Sequence, residues 1–165
     1  NVGGVMLYAC TKDAAARCSR MVQEGLLVKE YVAIVHGTPP EAGDWSDLLW
    51  KDSAKNKVFV VKRERRGVKK ARLEFKTIRS GEDSLVRIRL HTGRSHQIRV
   101  QHAHAGFPLW GDARYGGGKP GQQIALWACE LGFEHPVRRE PLRFTALPPM
   151  TGAWAKFQDI IEALT

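Results

Sequence analysis

The sequence predicts an α+β fold, a mostly antiparallel mixed sheet with flanking helices. Three observations predict it. About seven short stretches are β-branched or alternate apolar with polar residues. About three others place apolar residues at helical spacing between capping and stop residues. The two kinds do not alternate as the regular βαβ units that a parallel sheet would need. The chain has 165 residues, 43% of them hydrophobic, which is material for one core. Residues 1–165 read as one domain, with no internal repeat, low-complexity tract or linker.

Taken in order, Val5 to Ala9 reads as a strand. Thr11 can cap a helix over Lys12 to Glu24, closed by Gly25, with Ala14, Cys18, Met21 and Val22 as its apolar stripe. Glu30 to His36 is a β-branched strand that ends at Gly37-Thr38-Pro39-Pro40, and a loop holding Trp45 and Trp50 follows. Val58 to Val61 and Ala71 to Ile78 read as a hairpin joined by a basic turn with Gly67. Its second strand turns Ala71, Leu73, Phe75 and Thr77 to one face, and Ser84 to Leu90 alternates in the same way. Burial of Leu73, Phe75, Val86 and Ile88 is therefore expected. Ser95 to Ala105 looks helical and stops at Gly106, and a loop runs from there to Gly121. Strands follow at Ile124 to Trp127, Glu130 to Glu134 and Leu142 to Leu147. From Gly152 an amphipathic helix turns Trp154, Phe157, Ile160, Ile161 and Leu164 inward.

The charge is unevenly placed. The chain carries 26 Lys and Arg against 17 Asp and Glu, a net charge of +9. Between Lys55 and Arg79 there are eleven basic residues and only two acidic ones, Glu64 and Glu74, so this segment holds the whole excess. Dense positive charge displaces counterions from a polyanion, which points to nucleic-acid phosphates and to Lys62, Arg63, Arg65, Arg66, Lys69 and Lys70 as contacts. The plainer alternative is a solvated face that serves solubility. The absence of interleaved aromatics argues against a stacking platform for single strands here. No apolar run is long enough for a membrane span, and the three scattered cysteines fit neither a disulfide scaffold nor a CxxC zinc site. A reducing, cytoplasmic setting and a monomer are the expectations. The start lacks the pattern of a signal peptide, and its abrupt apolar beginning makes us expect a further N-terminal portion.

The densest chemistry lies in Leu90-His91-Thr92-Gly93-Arg94-Ser95-His96-Gln97-Ile98-Arg99-Val100-Gln101-His102. A strand ends, Thr-Gly turns, and a helix starts loaded with Arg, His and Gln. Free N–H groups at a helix start beside guanidinium groups suit a phosphate or carboxylate. On a helix Ser95, Arg99 and His102 would share one face. His96, His102 and His104 make a weak metal set, because no HExxH and no neighbouring carboxylate accompany them, and we expect no metal. Gly116-Gly117-Gly118-Lys119-Pro120-Gly121 resembles a P-loop only in composition, and GxSxG is absent.

Two stretches together carry a resemblance. Thr92-Gly93-Arg94-Ser95-His96-Gln97-Ile98-Arg99, followed by Gly106-Phe107-Pro108-Leu109-Trp110-Gly111-Asp112-Ala113-Arg114-Tyr115-Gly116, resembles the T-G-R-x-H-Q-I/L-R and G-x-P-I/L-x-G-D-x-x-Y-G signature of RNA pseudouridine synthases of the RluA type. Lys29 to Gly37 is similar to the family's K-x-Y-x-A-x-V-x-G strand, Gly3 to Ala9 to the strand after its catalytic loop, and Leu131 to Pro136 to its L-x-F-x-H-P segment. The resemblance implies a pseudouridine synthase catalytic-domain fold and an isomerase that converts uridine to pseudouridine in structured ribosomal or transfer RNA. It implies no metal or organic cofactor. By the same resemblance Arg99 pairs with the catalytic Asp, and Tyr31 stacks on the flipped base. Arg94, His96, Gln97, Thr92 and Gly93 would build the site wall or hold phosphate. The family's catalytic Asp, in an H-R-L-D motif, aligns two residues before Asn1, so this domain is expected to be N-terminally incomplete. Neither Asp13 nor Asp112 stands in the matching context, and Glu24 and Glu30 are expected to face solvent. Arg99 would then lack its partner. The alternatives are a non-catalytic RNA-binding module or pseudo-enzyme and, more remotely, another base-flipping enzyme such as a glycosylase or a deaminase, the latter nearly excluded by its missing zinc signature.

Overall fold

The computed structural model describes residues 2–163. Among these residues eight strands form one sheet: β1 (Gly3–Gly4), β2 (Val28–His36), β3 (Ala42–Asp52), β4 (Lys57–Val61), β5 (Val68–Arg79), β6 (Asp83–Leu90), β7 (Leu126–Glu134) and β8 (Pro141–Thr145). Their order is β1-β7-β2-β6-β5-β3-β4, with β8 also on β7. Every pairing is antiparallel except β1 with β7. Among the described residues three α-helices flank the sheet: α1 (Lys12–Gln23), α2 (Gln97–His104) and α3 (Gln158–Glu162), the last preceded by a 3-10 turn over Gly152–Phe157. The α+β class read from the sequence holds.

Strand alternation sorts the sheet into two faces. Ala33 and Val35 of β2, Leu73 and Phe75 of β5, and Val86 and Ile88 of β6 share a core with Ile98 of α2. Val32, Ile34 and Leu85 face the other way, onto Trp154, Phe157 and Ile161 of the C-terminal segment. All four residues expected to be buried in β5 and β6 are buried. Thr11 caps α1 as expected, its hydroxyl accepting from the Ala14 N–H at 3.1 Å. The stripe of α1 is only partly covered: Met21 is buried and Val22 is 54% exposed.

Several boundaries differ from the sequence reading, each for a physical reason. Val5 to Ala9 is not a strand. Gly3 and Gly4 alone pair with Trp127 and Ala128, Gly4 at a φ of 120° where a Cβ would collide with the Ala128 backbone, and the chain leaves the sheet after Val5. Trp45 and Trp50 lie in the eleven-residue β3, where Trp45 packs its ring 4.4 Å from that of Phe75. The basic hairpin does not form. β3 lies between β4 and β5 and pairs with both, so the residue 62–67 connection crosses over β3. Glu130 to Glu134 and Trp127 belong to one strand, β7, bulged at Cys129 where Glu30 faces Glu130 and Tyr31 faces Ala128. The C-terminal helix opens as a 3-10 turn, and Leu164 lies outside the described residues.

Candidate functional site

β6 delivers the turn at Thr92 and Gly93 to the end of the sheet, and one buried amide fixes it there. Gln97 is 2% exposed. Its Oε1 accepts from the Thr92 hydroxyl at 2.8 Å and the Arg94 N–H at 3.0 Å, while Nε2 donates to the Arg72 carbonyl of β5 at 3.1 Å. Thr92 also accepts from the Arg72 N–H at 2.9 Å, and Arg94 Nε donates to the Lys70 carbonyl at 2.9 Å. Thr92 and Gln97 thus brace the turn against β5. α2 begins at Gln97, two residues later than the sequence suggested, because His96 sits in the left-handed region (φ 52°) as its N-cap. Ser95 therefore shares no helix face with Arg99.

Arg99 is not left without a partner. Its Nε and Nη2 donate to the two carboxylate oxygens of Asp112 at 2.7 and 2.8 Å, a bidentate pair in which Asp112 is wholly buried. Nη1 has no hydrogen-bond partner among the described residues. The Tyr115 ring covers the guanidinium, 5.1 Å from Cζ to the centroid. The Tyr115 hydroxyl accepts from the Val58 N–H of β4 and lies 2.9 Å from His96 Nδ1. Burial, reinforced by the Arg99 and Arg114 charges, lowers the His96 pKa, so this imidazole is neutral near pH 7. Burial likewise raises the Tyr115 pKa and keeps its hydroxyl protonated.

The glycines of the 106–121 loop explain how Asp112 is buried. The Asp112 carbonyl accepts from the Gly117 N–H at 2.8 Å and the Tyr115 N–H at 3.2 Å, folding the loop around the carboxylate. A Cβ at Gly117 would meet the Leu109 carbonyl, and one at Gly118 would come within 2.6 Å of Gly111. His36 holds the same loop from outside, with Nδ1 2.8 Å from Asp83 and Nε2 2.9 Å from the Gly117 carbonyl. Asp112 and Tyr115 lie inside the motif, but the sequence alone assigns them no role. The signal was the glycine spacing around Asp112, which only makes sense if backbone packs on backbone there.

Tyr31 packs against the core cluster on the face of the sheet that α2 covers. It also lines a cleft of about 450 Å³, together with Lys29, Met6, Tyr8, Cys18 and Val22. Burial raises its pKa, so the phenol is neutral. Tyr31 and Arg99 share that face, but Arg99 is engaged toward Tyr115 and β4, whereas the Tyr31 cleft opens toward α1. Glu24 is exposed as expected. Glu30 is not: it accepts from Arg87 Nε at 2.6 Å, and Glu130 joins Arg87 to Arg143. His102 is fully buried, with Nδ1 2.9 Å from the Ile98 carbonyl, and burial pushes its pKa down to about 4. Among the described residues no group of three His, Cys, Asp or Glu side chains converges to hold a metal.

Lys62, Arg63, Arg65 and Arg66 are exposed on the crossover, and Lys69 and Lys70 on the outer half of β5. Arg65 lies over the Trp50 ring at 5.0 Å, and Lys70 pairs with Glu64 at 3.1 Å. No helix among the described residues is long and apolar enough to cross a membrane.

Comparison with known proteins gives a consistent answer. The ribosomal large subunit pseudouridine synthase D of Vibrio cholerae serotype O1 is 34% identical over 162 residues, spanning 88% of this chain and 49% of that protein. An uncharacterised RNA pseudouridine synthase of Bacillus subtilis strain 168, YjbO, is 32% identical over 154 residues, spanning 90% of this chain and 53% of that protein. The chain thus spans about half the length of the curated relatives it matches. Human RNA pseudouridylate synthase domain containing 1 has the same fold, with a TM-score of 0.72 at 21% identity over 94% of this chain and 73% of that one. Residues 1–104, which include the Tyr31 strand, the Thr92–Gly93 turn and Arg99, match the family described as RNA pseudouridylate synthase, and it is to this family that the chain belongs.

Proposed function

We propose that this chain is the body of a catalytic domain that isomerises uridine to pseudouridine in structured RNA. Ribosomal RNA is the favoured target, since a relative at 34% identity is named for the large ribosomal subunit. The reaction breaks the bond from the ribose C1′ to N1 of uracil, turns the base, and joins C1′ to C5. The C5 proton leaves and N1 gains one, so no redox partner or further substrate enters. The target base is inaccessible within a stacked helix and must be flipped out, and Tyr31 offers it a ring to stack on. The step needs a positioned carboxylate, and we assign that role to an Asp in an upstream H-R-L-D segment.

The observation that carries this reading is the state of Arg99. Asp112 occupies its Nε edge and leaves Nη1 without a partner among the described residues, so the same guanidinium can hold a second carboxylate ionised and oriented. Arg94 and the exposed cations near it would hold RNA phosphates, and the protein would act as a cytoplasmic monomer.

The test is release of tritium from RNA labelled at uridine C5. The 165-residue chain should release none, and the protein extended through the H-R-L-D segment should release it. Arg99→Ala in the extended protein should lower the rate by roughly 100-fold, the scale of a misplaced reacting group. Release from the short chain would overturn the upstream assignment. Silence from both would favour an RNA-binding module without catalysis.

A further inference from the structure

Lys29 is a cation whose position the fold does not explain. It stands two residues before Tyr31 on β2, and both line the same cleft. Its head rests on the turn, where a Cβ at Gly93 would lie 2.9 Å from Lys29 Nζ. It is part-buried, yet its ammonium makes no ion pair or hydrogen bond among the described residues. The neighbouring charge that acts on it is Arg94, of the same sign, and burial together with that repulsion lowers its pKa. A part-buried charge beside a like charge is unfavourable unless an anion compensates both.

On the other side of Gly93 the pattern continues. Arg94, Lys51 and Lys69 line a cavity of about 160 Å³ with no acidic side chain in its wall. Register sets the four cations in a staggered row at one end of the sheet: Lys29 is level with Leu90 and Leu73, Arg94 reaches the Lys70 carbonyl, Lys69 stands four residues beyond Leu73 on β5, and Lys51 lies two residues past Leu49, the partner of Lys69 on β3. From β2 to β3 are three strand spacings, about 14 Å. That is a row with extent, which a single small anion would not fill and a phosphodiester chain would. Lys29 and Tyr31, two residues apart, are separated by about 7 Å along the strand, a reach suited to one nucleotide's base and its own phosphate.

We propose that Lys29 and Arg94, on either side of Gly93, hold the backbone phosphate of the RNA nucleotide whose base stacks on Tyr31, and that Lys69 and Lys51 carry the same strand onward along this rim. This rests on the RNA reading above and names where the RNA backbone runs. Gly93 fits the role, because a Cβ there would press on the Lys29 ammonium.

Two measurements on the 165-residue chain test it, neither needing catalysis. First, affinity for a short uridine-containing RNA is followed against salt concentration. Lys29→Gln should flatten the log–log slope by about 0.7, the share of one phosphate contact on a single strand, and Lys29→Arg should restore it. Second, the Gly93 and Arg94 amide signals are followed by NMR during titration with inorganic phosphate and with the RNA. Both titrants should move them. RNA binding with an unchanged slope in Lys29→Gln would overturn the proposal. So would Gly93 signals that respond to neither titrant. A response to phosphate without RNA binding would leave a plain anion site and overturn RNA as its occupant. If the RNA binds here while the extended protein makes no pseudouridine, the catalytic reading fails and the phosphate site stands.

Discussion

Asp112 has no exposed surface, and its carboxylate is balanced by the single guanidinium of Arg99. Removing one partner of such a pair leaves an uncompensated buried charge. Asp112→Ala should therefore cost about 3 to 5 kcal/mol in urea unfolding, far beyond a surface substitution. A loss below about 1 kcal/mol would mean that Arg99 finds water or another acceptor as readily. His102 makes a second prediction at this scale. Its folded pKa of about 4 lies below the ordinary histidine value, so the native state holds it neutral and the unfolded chain takes up a proton first. Its contribution is complete above about pH 6.5 and is lost as pH falls toward 4, about 3 kcal/mol across that window. His102→Phe should flatten the fall in unfolding free energy between about pH 7 and about pH 4.5, and an identical slope in the variant would refute the assignment. Arg99 and Tyr31 were legible as candidates because their motif spacing survives in the linear sequence. The partner of Arg99 was not, because thirteen residues and a glycine-packed loop separate the two.

At the scale of elements, the basic segment changes meaning once β3 is in place. A tight hairpin would have set Lys62 to Arg66 at a tip, clear of other strands. Instead the connection crosses β3, and Arg65 rests on Trp50. The sequence could not reveal this. β3 carries Gly43, Asp44, Ser46 and Asp47 among its apolar residues and so reads as a loop, while its pairing with both β4 and β5 is a long-range choice. Lys62, Arg63 and Arg66 remain exposed and make no ion pair among the described residues. Replacing Lys62, Arg63, Arg65 and Arg66 by Gln should flatten the salt dependence of RNA binding by about 0.7 for each phosphate no longer neutralised, which titration at several salt concentrations reads directly. An unchanged slope would show that the crossover is a solvated face that serves solubility.

Over the whole molecule, the net charge of +9 is carried by residues 55 to 79, on β4, the crossover and β5, while the rest of the chain is balanced. The two faces of the sheet divide the labour: α2 covers one and carries Arg99, and the C-terminal segment closes the other without a candidate catalytic residue. By itself the sequence determined the α+β class, the capped first helix, the alternating strands β5 and β6, and the family, and it singled out Tyr31 and Arg99 as candidates. These are properties of local pattern and spacing, which the linear chain holds in full. Only the tertiary structure decided that β3 parts β4 from β5, that Asp112 holds Arg99, and that Lys29 meets Arg94 across Gly93. Each of those is a contact between segments far apart in the chain, fixed by which buried groups satisfy one another, and periodicity carries no record of that choice.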